Sequence, residues 1–147
     1  MLTRLLKAFS APASTAPAPL PEPDAKLALG ALMVRVAKSD HEYQVEEISR
    51  IDRLLARHFG LKPIEAAKMR ATCEKLEAGA PGSGRFAEVI RESVSHQARI
   101  AALEAMWEVL LADGVGHDQE YAVIEEARVA MGLTEADNTA ARAMAES

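Results

Sequence analysis

Two stretches of this 147-residue chain match each other at a constant offset of 73 residues. The first runs from Leu32 through Asp40 and Glu47 to Ile51, then closes on Phe59, Gly60 and Leu61. The second runs from Ala105 through Asp113 and Glu120 to Ile124, then closes on Met131, Gly132 and Leu133. The offset pairs Met33 with Met106, Val36 with Val109, Asp40 with Asp113, Glu47 with Glu120 and Ile51 with Ile124. The closing Gly-Leu pairs need one residue of slack. Each copy reads as a helix, a short acidic loop and a helix. If the two copies pack as a pseudo-twofold pair, their acidic loops come together.

Outside the loops the apolar spacing is helical. Asp24 suits the N-cap of a helix carrying Leu27, Leu29, Leu32, Met33 and Val36. A second helix is expected over about Tyr43–His58, with Val45, Ile48, Ile51, Leu55 and Phe59 inward and Gly60 as its C′ residue. Further helices are expected over about Pro63–Ala78, Arg85–Val94, Gln97–Leu111, Asp118–Met131 and Glu135–Glu146. Gly79–Gly84 reads as a turn, and Thr134 with Asp137 as a capping box. Composition agrees: aromatic residues make up 4% of the chain and 29 residues are alanine. That leaves little to fill a sheet sandwich and suits close helix packing. The expected fold is all-α, a bundle of about seven helices. Trp107, Met69, Met131 and Met144 are expected as packing residues, and Cys73 as a small buried or half-buried one.

The N-terminus differs in kind. Leu2, Leu5, Leu6 and Phe9 fall at helical spacing, with Arg4 and Lys7 elsewhere around the turn. Residues 1–9 therefore read as a short amphipathic helix, marginal in isolation, that docks on the chain's own body, touches a membrane surface or stays disordered. Residues 10–23 hold five of the seven prolines among Ala and Ser, an extended linker. The helical domain then spans 24–147. No stretch approaches the ~20 apolar residues of a membrane span, and the N-terminal apolar run stops too early for a secretory signal. The expected location is cytoplasmic, with peripheral contact to the inner membrane through residues 1–9 left open.

The matched loops carry the chemistry. Each places an Asp at the end of one helix and a Glu seven residues later, in the first turn or two of the next. An Asp beside a helix C-terminus opposes the local partial charge, whereas a cation there is favoured. Convergence of Asp40, Glu47, Asp113 and Glu120 would give a carboxylate site for a divalent hard cation: Ca²⁺, Mg²⁺ or Mn²⁺. His41 and His117 lie in the same loops and open a route to Zn²⁺. The competing explanation is structural: the aspartates cap the following helices and the glutamates are solvated. An EF-hand is excluded, because counting Asp113 as position 1 puts Val115, His117 and Ile124 where ligands belong. No H-E-x-x-H or Cys/His cluster supports a tetrahedral zinc site.

Other function classes lack residues. A net charge of −5 gives no footprint for nucleic acid. One cysteine allows no internal disulfide. Ser93, Ser95 and His96 are neighbours, but residues one apart on a helix point in different directions. No phosphate loop or cofactor motif occurs, so no enzyme activity is expected.

At Ala112-Asp113-Gly114-Val115, with Glu120, Ile124 and the closing Met131-Gly132-Leu133, the chain resembles the TerB-like family named for a tellurite-resistance protein. The first copy, Ala37 through Gly60, carries the same pattern in degenerate form. His41 stands where glycine usually follows Asp40, and Tyr43 stands two residues beyond. The likeness covers about Ala25–Ala145. It implies an all-helical domain of about seven helices, built from two pseudo-twofold-related helix-loop-helix halves, with an acidic metal-binding site on Asp40, Glu47, Asp113 and Glu120, in a stress-response module. Relatives include the N-terminal part of a DnaJ-like membrane co-chaperone, although no His-Pro-Asp tripeptide is present here. The alternative reading is a metal-independent adaptor whose acidic surface docks a basic protein partner or a membrane-associated complex.

Overall fold

The computed structural model describes residues 23–39, 43–112 and 118–147. The amphipathic segment 1–9 and all of the linker except Pro23 lie outside them. Seven helices occupy the described residues: α1 (Ala25–Lys38), α2 (Val45–Phe59), α3 (Pro63–Gly79), α4 (Gly84–Ser93), α5 (His96–Ala112), α6 (Asp118–Ala130) and α7 (Glu135–Glu146). The all-α reading holds. No helix among these residues is long and apolar enough to cross a membrane.

Two helices are buried on nearly every side. In α1 every residue from Ala28 to Val34 is buried, as are Val36 and Ala37. In α5, Ala102, Leu103, Ala105, Met106, Trp107, Val109 and Leu110 are buried. A helix apolar all round belongs at the centre of a bundle. Accordingly α1 packs against α2, α3, α4, α5 and α6, and α5 against α1, α2, α4, α6 and α7. Helix α1 packs on α3 and α5 on α7, while α2 crosses to α5 and α6 to α1. The matched core pairs Met33 and Met106, and Ile51 and Ile124, are all buried.

Helix ends fall where the residue chemistry puts them. Asp24 Oδ1 accepts the Leu27 N–H at 2.8 Å and starts α1. Thr134 Oγ1 accepts the Asp137 N–H at 3.1 Å, and Asp137 Oδ2 accepts the Thr134 N–H at 2.9 Å, completing the capping box of α7. Gly60 and Gly132 sit at φ 62° and 71°. Past them, the Leu61 N–H reaches the Ala56 carbonyl at 3.0 Å and the Leu133 N–H the Arg128 carbonyl at 3.1 Å. That six-to-one closure needs a left-handed residue, so glycine recurs at the end of both halves.

Two expected core residues face outward. Val45 is 73% exposed and Met144 55%. Val45 is the first residue of α2, and Met144 lies in the last turn of α7, where Ala145 packs on the core instead. Met131 is fully buried and Met69 packs at the edge of the core. A charge is buried between α1 and α3. Glu77, only 8% exposed, meets Arg35 at 3.2 Å and Lys38 at 2.7 Å. Such a carboxylate is tolerable in the interior because it is paired twice.

Candidate metal centre

The first acidic loop leaves α1 at Ser39, whose hydroxyl donates to the Val36 carbonyl at 2.7 Å. Asp40 and His41 lie outside the described residues. The chain is described again at Tyr43 and Gln44, in extended backbone at the N-cap of α2. Glu47 is the third residue of that helix. Its Oε2 accepts the Gln44 N–H at 3.4 Å, closing a capping box. Glu47 is half-buried and shares a narrow cleft with Ala37 of α1, Arg50 of α2 and Val109 of α5. It therefore stands where the two halves meet.

The second loop leaves α5 at Ala112. Asp113 and His117 also lie outside the described residues. Glu120 is the third residue of α6, the same helix position that Glu47 holds in α2, so the 73-residue offset is realised at the level of the helix turn. Both carboxylates sit in a first turn, where the helix partial charge favours an anion. Glu120 is only 2% exposed. Neither glutamate is a solvated surface residue, which removes that part of the structural explanation. Capping, however, accounts for Glu47 in part. A carboxylate as buried as Glu120 is tolerable only with compensating hydrogen bonds, a counter-charge or a proton. Among the described residues no three His, Cys, Asp or Glu side chains gather into a group able to hold a metal. The proposed set needs Asp40 and Asp113 to be complete.

The surroundings of the two glutamates differ. Beside the first loop, the half-buried Tyr43 has its phenol pushed well above the usual range, first by burial and then by the neighbouring Glu74 carboxylate. Arg70 of α3 clamps Asp52 at 2.9 Å and Glu74 at 3.1 Å, which ties α2 to α3 and holds its guanidinium firmly charged. Beside the second, Tyr121 follows Glu120 and tilts against Trp107 with centroids 5.7 Å apart. Arg142 of α7 lies 4.7 Å over the Trp107 ring, and the indole N–H donates to Asn138 Oδ1 at 2.8 Å. Trp107 is thus a packing residue, as its spacing suggested. Its partners on α7 could not be read from sequence, because no local pattern links residues 31 apart.

The remaining nucleophiles have structural roles. Ser95 Oγ accepts the Ala98 N–H at 3.2 Å and caps α5. His96 lies 3.4 Å from Asp137, a partner on α7 rather than a serine. Cys73 is fully buried and its thiol is pushed up to about 12, first by burial and then by the charge of Asp24. A thiol so placed is inert.

Comparison with known proteins gives one match. A family model described as tellurite resistance protein TerB covers residues 26–143. Searches of curated proteins and of solved structures found no match.

Proposed function

The chain belongs to the TerB tellurite-resistance family, and from that premise we propose that it is a non-enzymatic stress-response module whose paired acidic loops take up a divalent cation. The supporting observation is Glu120. It is a nearly fully buried carboxylate at the third position of α6, and Glu47 repeats that position in α2. Each stands seven residues after a loop aspartate, Asp40 or Asp113. Oxygen ligands alone select a hard cation, so Ca²⁺, Mg²⁺ or Mn²⁺ fits better than Zn²⁺. Asp40, Glu47, Asp113 and Glu120 would hold it.

A cation that binds the folded state alone stabilises it by mass action, by about 2.7 kcal/mol at a hundredfold excess over Kd. Thermal melts of the chelator-treated chain, with and without millimolar Ca²⁺, Mg²⁺, Mn²⁺ or Zn²⁺, therefore test the reading. The expected result is a rise in Tm with at least one ion that Asp113→Asn or Glu120→Gln removes. No shift with any of the four ends the cation reading.

A further inference from the structure

The net charge is −5, yet one face of α2 is basic. Arg50, Arg53 and Arg57 recur at i, i+3 and i+7, so they share a face and span ~10 Å along the helix. They line an open groove of about 450 Å³ between α2 and the C-terminal ends of α5 and α7. Leu54 and Leu111 make its lining aliphatic. Among the described lining residues, Glu108 is the one carboxylate, and it is already engaged by Arg57 and by His58 Nε2 at 3.1 Å. That engagement fixes the Arg57 head in place. Arg53 is exposed at the groove.

We propose that this groove docks an acidic peptide segment of a protein partner, one that carries aliphatic side chains between its carboxylates. Guanidinium groups recognise carboxylates in paired, planar geometry. In an extended peptide alternate side chains point to opposite sides, and same-side residues lie ~6.7 Å apart. Two carboxylates can therefore meet the arginine row while the intervening aliphatic side chains face the opposite wall at Leu111. The competing ligands fit less well. A small molecule is usually oriented by convergent polar groups in an enclosed pocket, and this groove is open. A single nucleic-acid strand needs aromatic platforms. None lines the groove among the described residues, and the overall negative charge repels a long polyanion. An acidic surface elsewhere would attract a basic partner. The α2 groove selects the opposite sign and acts independently of any cation.

Fluorescence anisotropy tests the assignment, with a labelled octapeptide of alternating glutamate and leucine titrated with the full chain. Binding is expected to saturate, to weaken as salt rises, and to weaken at least tenfold in Arg53→Glu. Arg85→Glu, an exposed site on α4 outside the groove, is expected to bind as the parent does. A thermal melt establishes that Arg53→Glu is folded; if it is not, Arg53→Gln replaces it, with a smaller loss expected. The proposal is overturned by absence of saturable binding, by equal binding of a lysine–leucine octapeptide, or by an affinity that Arg53→Glu leaves unchanged. It is also overturned if phosphatidylglycerol vesicles bind through Arg53 and the acidic peptide does not displace them.

Discussion

Gly30→Ala sets helix propensity against packing at the centre of the bundle. In an exposed helix interior the change would stabilise by about 1 kcal/mol. Gly30, however, faces α3. A Cβ built there falls far inside van der Waals contact with Cys73 Sγ, 3.4 Å from Cys73 Cβ and 3.7 Å from Leu55 Cδ2. Cys73 and Leu55 are both fully buried, so neither can swing into solvent. Overpacking a filled core typically costs about 1–3 kcal/mol. Propensity offsets part of this, leaving an expected loss of up to about 2 kcal/mol. Cys73→Ala alone removes the sulfur from the same contact and leaves a void, for an expected loss of about 1 kcal/mol. In the double variant the new methyl group occupies the volume that the sulfur vacated. The two losses then fail to add, and the coupling is expected to be at least about 1 kcal/mol in favour of the pair. Urea unfolding followed by helical circular dichroism measures all four proteins. A Gly30→Ala variant more stable than the parent, or strictly additive losses, would refute the close approach of α1 to α3.

Three further outcomes follow from single contacts. Asn138→Leu strands the buried Trp107 N–H, whose bond to Asn138 is 2.8 Å. A loss of about 1–3 kcal/mol is expected in urea unfolding monitored by the single tryptophan, and an unchanged midpoint would contradict it. Native Cys73 is expected to resist alkylation at neutral pH, because its thiol is pushed up to about 12, and to react fully once unfolded; rapid modification of the folded chain would disprove this. The Thr134 backbone N–H, then its hydroxyl and His96, hold the Asp137 carboxyl below its usual value of 3.8. A depressed folded-state pKa contributes stability above the unfolded value that is lost as pH falls through the folded one. The Tm values of the parent and Asp137→Asn should therefore differ near neutrality and converge as pH falls below 3.8; curves that stay parallel would remove the capping carboxylate from the acid limb.

Where a helix end depends on one side chain, local sequence was enough to read it. Asp24, the Thr134–Asp137 box and the two left-handed glycines act within a few residues of themselves. Periodicity failed at Val45 and Met144, each at a helix end where an adjacent or nearby residue, Tyr43 or Ala145, is the one that packs on the core. The contacts between distant residues, Gly30 with Cys73 and Trp107 with Asn138, depend on which helices become adjacent, and no local spacing encodes that. The arginine row of α2 is visible as i, i+3, i+7, but only the crossing of α2 onto α5 turns it into one wall of a groove.

The acidic positions show how far correspondence within a repeat reaches. The offset of 73 places Glu47 and Glu120 at the same turn of matching helices, and the structure does so. Their burial is nonetheless unequal: Glu47 is half-buried and Glu120 nearly inaccessible. The helices packed on α2 and α6 differ. Helix α4 has no counterpart in the repeat and packs on α6 as well as on α1, whereas α2 is backed by α3. A matched sequence position fixes the helix turn and its local dipole. What packs over that turn decides whether the carboxylate faces protein or water, and the repeat does not fix it.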